Sequence, residues 1–328
     1  MVHDSGFIFN LFLRRSVSPY YTVPLYNKIT GTNYDLPIFR SLSIDQSKFL
    51  IEKDIPDYLD AKGVNSLKGF NVKRIRQYKG FACNLMGCTD VADYLKQNLG
   101  KSTIKNIKAR KRQLENRFNT TYRFFIGEID QDHYDFLFDK FYQMLKARFE
   151  EKKTFNRYLL EWKYYHHLIY PMILNREALL FVIYVNNEPI SISLEFCLGD
   201  ICFGYIHGYD PDYHRYQLGD IRMVKLIEWM LDHNFNWFDT LMGETTFKAK
   251  WSNHIYNYHY DVFYKKNSVS ARVKLNYLKF KLRLKQWLRE KGILGKWFNM
   301  DKFLYKKRAK KLRNHNWKST NLQYPLNT

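Results

Sequence analysis

One stretch decides the fold: residues 178–210 read ALLFVIYVNNEPISISLEFCLGDICFGYIHGYD. An apolar run from Leu179 to Val185 ends at an Asn-Asn-Glu-Pro turn, and Ile190 to Leu198 then alternates apolar residues with others. The pair Gly199-Asp200 has the length and composition of a tight hairpin connection. The following run extends from Ile201 to Tyr209. The stretch therefore predicts three consecutive antiparallel strands.

The segment that follows predicts a crossover. A helix is expected from Asp220 to about Asn234, and further strands at Trp237 to Met242 and Tyr256 to Tyr264. A strand that returns to its sheet through a helix runs parallel to the strand it left, in a right-handed sense. We therefore predict an α/β fold with a mixed, α+β sheet, whose parallel pair flanks the 220–234 helix.

The region before this stretch is helical. Ser102 to Phe118 carries apolar residues at helical spacing and Ser102 suits an N-cap, with Lys and Arg on the opposite face. A strand is predicted over 122–126, and helices over 130–151 and 156–175. Residues 1–100 have scattered Gly and Pro and predict a small, loop-rich N-terminal domain, with a degenerate copy of the following domain as one option.

Cysteine and charge usage limit the classes of function. The four cysteines lack CxxC spacing and no His cluster lies beside them, so no metal site is expected. Cys197 and Cys202 fall in apolar strands and are expected to be buried free thiols of a cytoplasmic protein. The net charge is +21, and residues 265–328 contribute +17 of it through nineteen Lys or Arg and two acids. The basic character therefore belongs to the C-terminal tail.

Two motifs carry a resemblance to a known family. The first runs from Gly208-Tyr209-Asp210-Pro211 to Tyr216-Gln217-Leu218-Gly219. The second is an Asp-bearing strand followed by Gly-Glu, an aromatic-Lys pair and a closing aromatic residue, with these members: Asp239, Gly243, Glu244, Phe247, Lys248 and Trp251. Residues 100–265 thereby resemble the GNAT acyltransferases, in the branch of the cellulose-biosynthesis-associated acetyltransferases and the FemA-like peptidyltransferases.

The resemblance implies three regions and an enzyme. The regions are a loop-rich domain (1–100), a GNAT-like acyltransferase domain (101–265) and a basic amphipathic helical tail (266–328). The implied activity is acyl-CoA-dependent N-acyl transfer, with acetyl-CoA or another acyl-CoA as donor and no metal. The implied acceptor is the amine of an amino sugar or of a lipid-linked or nucleotide-linked precursor of an envelope polysaccharide.

The start of the 220–234 helix is the candidate donor site. A helix N-terminus offers unpaired N–H groups to phosphate, and Gly219 lets the backbone come close to a ligand. The donor-binding candidates are Gln217, Leu218, Gly219, Asp220 and Ile221. The alternative is that Gly219 only makes a turn and that Asp220 caps the helix. A carboxylate at this position also competes with a phosphate.

Other polar residues supply catalytic and substrate-binding candidates. Amine acylation needs a proton acceptor and a donor to the leaving thiolate. The catalytic candidates are Glu195, His207, Tyr216 and Glu244, and the substrate-binding candidates are Asp239, Gly243 and Lys248. His207 is equally compatible with a core histidine, Glu244 with a surface acid and Lys248 with a solvated lysine. The expected cleft has Ile206–Tyr209 and Phe238–Leu241 as its floor.

The tail predicts an interaction with an anionic surface. Val273, Tyr277, Phe280, Leu284 and Trp287 repeat at steps of four and three between basic residues, as in helices that lie in a membrane interface. A peripheral location at the inner face of the membrane is expected. The alternative is that this stripe packs on the body of the protein. Nucleic acid is another anionic partner to consider.

Two other functions are compatible with the sequence. One keeps the fold and changes the acyl donor, and the other is not catalytic. A FemA-like enzyme would take its acyl group from aminoacyl-tRNA, which the basic tail and the single-glycine loop favour. A non-catalytic protein would use the same surfaces to hold RNA or lipid. Binding of acetyl-CoA separates the first function from both rivals.

Overall fold

A computed structural model describes residues 6–38, 49–61, 69–293, 300–313 and 315–319. Parts of the predicted N-terminal domain and of the predicted tail therefore lie outside the described residues. The helices are α1 (Phe7–Leu13), α2 (Val91–Asn98), α3 (Lys101–Arg117), α4 (Gln131–Glu151), α5 (Trp162–Leu174), α6 (Leu218–Asp232), α7 (Thr246–Trp251), α8 (Val269–Glu290) and α9 (Met300–Arg313). The strands are β1 (Leu25–Asn27), β2 (Asn33–Tyr34), β3 (Phe49–Pro56), β4 (Leu59–Asp60), β5 (Phe70–Asn84), β6 (Thr120–Phe125), β7 (Ala178–Val185), β8 (Glu188–Leu198), β9 (Ile201–Tyr209), β10 (Trp237–Met242) and β11 (His254–Lys265).

The chain divides into two compact units, each built from separate segments. The first contains residues 1–82, 240–299 and 327–328, and the second contains residues 83–239 and 300–326. The sequence-based boundaries at residues 100 and 265 divide the chain consecutively and remain a prediction about its domains.

The second unit contains the predicted strands in the predicted order. β6, β7, β8 and β9 pair antiparallel with their neighbours, and β10 pairs parallel to β9. The hairpin between β8 and β9 turns at Gly199, whose φ of +54° favours glycine. The connection through α6 explains the parallel pair, because a helical crossover joins parallel strands. The predicted mixed sheet is therefore confirmed.

Helices cover both faces of this sheet. Adjacent residues of β6 point to opposite faces: the Phe124 ring stacks on Trp229 of α6, 5.4 Å between centroids, whereas the Phe125 ring lies 5.3 Å from His133 of α4. Close packing on the α4 side is possible because Gly208 has no Cβ. A hydrogen bond from Leu85 N to Asn236 O, 2.9 Å long, joins two residues near the ends of segment 83–239.

In the first unit, α8 packs on the strands β5 and β11. β11 lies between β3 and β5 and pairs antiparallel with both. Ile75 and Val262 of the sheet form a core with Leu275 and Leu282 of α8. A separate three-stranded sheet has the order β2, β1, β4.

The sequence prediction misplaced some local features. α3 begins at Lys101 with Gly100 as its N-cap, so Ser102 lies inside the helix. β5, 15 residues long, falls in the segment predicted to be rich in loops. Residues 72–74 are all exposed and residues 80–83 are all buried, so only the middle of the strand alternates. Of the described helices, none is both long enough and apolar enough to span a bilayer.

Candidate functional site

The candidate site in the second unit contains a β-bulge on β9. Leu194 pairs with Ile206 and Glu195 with Gly204, so Tyr205 is an extra residue on β9. The described pairs between β9 and β10 run only from Ile201 to Phe203. A bulge bends a strand and redirects its side chains. The hydroxyl of Tyr205 lies 2.8 Å from that of Tyr165 on α5, which fixes the bulge.

A buried ion pair crosses from β8 to α6 beside the bulge. Arg222 Nη2 donates to Glu195 Oε1 at 2.6 Å, and Ser193 Oγ donates to Glu195 Oε2 at 3.2 Å. Burial raises the pKa of Glu195 above its ordinary value, and the charge of Arg222 and these hydrogen bonds offset only part of that rise. Glu195 is fully buried. Its observed role is to neutralise and orient Arg222.

His207 lies on the neighbouring strand. Its Nε2 atom is 2.9 Å from Ser191 Oγ, and its backbone carbonyl accepts a hydrogen bond from Arg148 Nη1 at 2.8 Å. Burial, and then the charges of Arg222 and Arg148, lower the pKa of His207 well below its ordinary 6.5. The imidazole is therefore neutral at pH 7 and can accept a proton.

Arg148 and Arg222 give this cluster an excess of positive charge. The guanidinium of Arg148 lies 5.1 Å from the ring centroid of Tyr209, and burial, together with the charge of Arg222, lowers its pKa. The Nε atoms of both arginines are buried without a hydrogen-bond partner among the described residues. With His207 neutral, this cluster contains two guanidinium groups and one carboxyl group. Such an arrangement can bind an anionic group.

The candidate donor site lies one residue before Arg222 on the same helix. Gln217 adopts a left-handed conformation, φ +53°, and caps α6 through its backbone. The hydroxyl of Tyr216 is buried and has no hydrogen-bond partner among the described residues. Leu218, Asp220 and Ile221 are buried. Asp220 N and Ile221 N already donate to Gln217 O, at 2.8 and 3.4 Å, so two amides of the first turn of α6 are not free for a phosphate.

The remaining candidates lie in β10 and in the segment that follows it. Asp239 is fully buried in β10. In the first unit, Lys248 Nζ donates to Met242 O at 2.6 Å, across a loop in which Gly243 has a φ of +100°. Glu244 is exposed. Lys248 thus holds this loop together, in addition to any contact with substrate.

A basic surface lies beside the segment that leads into α6. α3 packs through Ile107 and Leu114, and Phe118 at its end lies 6.1 Å from the ring of Tyr216. The face that points to solvent carries six exposed bases: Lys101, Lys105, Lys108, Arg110, Arg112 and Arg117. This face can attract a ligand with several phosphates.

The structure brings some predicted residues together through residues that the sequence analysis missed. Glu195, His207 and the start of α6 are linked by Arg222, which contacts Glu195 and lowers the pKa of His207. Arg148 reaches the same cluster from α4. The available signal was an arginine at position 222 within an otherwise apolar helix face and a glutamate at position 195 within an apolar strand.

No group of three or more His, Cys, Asp or Glu suited to a metal occurs among the described residues. Cys197 and Cys202 are buried thiols that form no disulfide, as predicted.

A comparison with protein-family models finds a match to part of the chain. Residues 101–249 match the family model of the acetyltransferase (GNAT) domain. The match confirms the likeness of this part of the chain to the GNAT domain, as its motifs predict. No curated protein is significantly similar to the chain in sequence.

Solved structures with a similar fold are distant in sequence. FemX has 10% identity and a TM-score of 0.47, over 66% of this chain and 72% of its own. L-PGS from Bacillus licheniformis has 12% identity and a TM-score of 0.40, over 65% of this chain and 67% of its own. A conserved protein of unknown function from Bacteroides thetaiotaomicron has 11% identity and a TM-score of 0.40, over 60% of this chain. This chain spans 63% of the Bacteroides protein, less than two thirds of its length.

Proposed function

We propose that the chain is an N-acyltransferase that moves an acyl group, such as acetyl, from acyl-CoA to a primary amine. The proposed acceptor is an amino sugar or a lipid-linked or nucleotide-linked precursor of an envelope polysaccharide. The observation that carries the proposal is the neutral imidazole of His207 beside the bulge of β9, within the region that matches the GNAT domain.

The reaction needs two proton transfers. The amine nitrogen attacks the thioester carbonyl carbon, so that a C–N bond forms and the C–S bond breaks. His207 accepts the proton that leaves the nitrogen, and the hydroxyl of Tyr216 donates a proton to the leaving thiolate. Glu244 is the alternative proton acceptor. We assign Glu195 to positioning, because its carboxylate is already paired with Arg222.

The donor phosphates are proposed to bind at the first turn of α6. The positive end of the helix dipole favours phosphate there, and the buried charge of Arg222 lies on the next turn. Asp220 opposes this attraction and is expected to turn its carboxylate away from the ligand. Asp239, Gly243 and Lys248 are proposed to contact the substrates.

Calorimetric titration of the full chain with acetyl-CoA and with CoA tests the donor. Both ligands are expected to bind, and Gly219→Val should weaken binding at least tenfold because a branched side chain keeps the ligand from the backbone. The matched control is Gly100→Val at the start of α3, where an added Cβ meets no atom within 4 Å. Unchanged affinity in a folded Gly219→Val protein would show that the phosphates bind elsewhere.

The proposed base is tested separately from donor binding. His207→Gln should lower kcat by roughly 10²–10⁴-fold, the usual contribution of a positioned base. Its affinity for CoA should remain that of the wild type. A full kcat in this variant would exclude His207 as the proton acceptor and leave Glu244 to be examined.

The basic face of α3 supports a second candidate, transfer from aminoacyl-tRNA. Six exposed bases beside the entry to α6 suit a polyanionic donor. Lys108→Glu combined with Arg112→Glu should then reduce tRNA binding strongly, whereas the exposed pair Lys73→Glu and Lys79→Glu on β5 makes the same charge change elsewhere. If the protein binds CoA and these two double variants bind tRNA equally well, the result would favour the CoA-dependent reaction.

A further inference from the structure

α8 carries two apolar stripes on opposite sides. One stripe faces the sheet of the first unit and consists of Ala271, Leu275, Leu278 and Leu282. The other faces solvent and consists of Val269, Val273, Tyr277, Phe280, Leu284 and Trp287. Since both stripes follow helical spacing, α8 is docked on the sheet while its second stripe remains uncovered. We call the second set the outer stripe of α8.

The outer stripe is an unusual surface for a protein in water. Its six side chains are between 43% and 74% exposed. They follow one line along a helix of 22 residues, which is about 33 Å long. Scattered exposed apolar residues are normal, but contiguous rows of this kind mark interaction surfaces. The row includes Tyr277 and Trp287, whose amphipathic rings suit the boundary between hydrocarbon and water.

Basic residues border the outer stripe on both sides. At 100° per residue, Lys274 and Lys281 lie on one side, and Arg272, Lys279 and Arg283 lie on the other. α8 contains seven Lys or Arg and one acid, Glu290 at its end. An apolar centre with basic borders complements a membrane whose headgroups are anionic and whose interior is apolar.

We propose that the outer stripe of α8 binds an anionic phospholipid bilayer, with the helix lying in the plane of the headgroups. The aliphatic members, Val269, Val273 and Leu284, favour a bilayer over RNA because phosphates and bases offer aliphatic side chains little. Two α8 helices would repel each other because both are basic, so a second copy of the chain is disfavoured as the occupant. This inference does not depend on which acyl donor the enzyme uses.

Vesicle co-sedimentation of the full chain tests the proposal. Vesicles of phosphatidylcholine that contain ~30% phosphatidylglycerol have an anionic surface and should bind the protein. Vesicles of pure phosphatidylcholine should bind it at least tenfold more weakly. Phe280→Ser with Trp287→Ser should reduce binding at least tenfold, since both side chains belong to the apolar centre. Lys274→Glu with Lys281→Glu should do the same by removing the charge attraction.

Matched controls separate the outer stripe from general surface effects. Ile255 on β11 is 56% exposed, so Ile255→Ser with Val72→Ser removes a similar apolar area elsewhere and should leave binding unchanged. Melting temperatures should stay near that of the wild type in every variant, because the buried stripe is intact. Brominated phosphatidylglycerol should quench less fluorescence in Trp287→Phe than in the wild type.

Three results would overturn the proposal. Wild-type vesicle binding by the Phe280→Ser, Trp287→Ser protein would show that the outer stripe does not insert. Loss of RNA binding in the charge variant, with no vesicle binding by the wild type, would make the occupant a nucleic acid. A dimer in gel filtration that the stripe variant converts to a monomer, again without vesicle binding, would make it a second copy.

Discussion

At the scale of single residues, His207 connects stability to pH. The pKa of His207 is lowered in the folded state. Below about pH 6.5, the unfolded chain therefore binds a proton at this residue and the folded chain does not. Stability should therefore fall as the pH decreases from about 7, with a slope for this residue of at most one proton, about 1.4 kcal/mol per pH unit. Chemical denaturation at several pH values measures this slope.

The His207→Gln variant isolates this contribution. His254 and His259 also have lowered pKa values because of burial, so the wild-type slope contains their contributions too. The difference between wild type and His207→Gln removes these shared parts. Identical slopes in the two proteins would mean that His207 accepts a proton freely in the folded state.

The Glu195–Arg222 pair makes a second prediction at this scale. Glu195→Gln leaves the buried guanidinium of Arg222 without its counter-charge and should cost about 3–5 kcal/mol of unfolding free energy. The double variant Glu195→Leu, Arg222→Met replaces the pair by apolar groups and should cost less than the single variant. Urea unfolding measures both. A double variant that is less stable than Glu195→Gln would indicate that the pair stabilises more than it costs to bury.

At the scale of elements, the contact between β5 and β11 depends on a glycine. A Cβ at Gly80 would overlap ring atoms and the hydroxyl oxygen of Tyr256. That ring is fixed, because it packs against Tyr58 at 4.9 Å and its hydroxyl donates to Tyr258 at 2.8 Å. Gly80→Ala should therefore destabilise the first unit by about 1–3 kcal/mol or more through overpacking.

Two further variants check the cause of this loss. Gly100→Ala introduces the same methyl group where nothing lies within 4 Å and should change stability little. If the ring of Tyr256 is the obstacle, Tyr256→Leu and Gly80→Ala should be non-additive, since shortening the side chain makes room for the methyl group. Strictly additive losses would place the strain in the backbone instead.

The sequence identified α8 as amphipathic but could not show which side faces the protein. The outer stripe and the buried stripe both repeat at steps of four and three, so periodicity assigns neither to the sheet. The structure assigns Leu275 and Leu282 to the core with Ile75 and Val262. The stripe that contains Tyr277 and Trp287 thus does not pack on the first unit, contrary to the alternative considered for the sequence.

At the scale of the whole molecule, local pairing was predictable and distant pairing was not. β7, β8 and β9 follow one another through short turns, so runs and turns in the sequence define them. β11 instead pairs with strands that lie 172 to 215 residues earlier in the chain, for which a single sequence contains no signal. The site divides in the same way: Glu195 and His207 stand out within strands, whereas Arg148 reaches them only because α4 crosses the sheet.

The hydrogen bond between Leu85 and Asn236 affects the order in which the chain can fold. β5 and β11 are separated by an insertion of about 150 residues, and closing such a loop costs about 3 kcal/mol more than closing one of about five residues. Once segment 83–239 has folded, its ends are already adjacent, and that entropy has been lost beforehand. On a ribosome, the inserted segment emerges complete before β11 is synthesised. The pairing of β5 with β11 is therefore expected to form after segment 83–239 has folded.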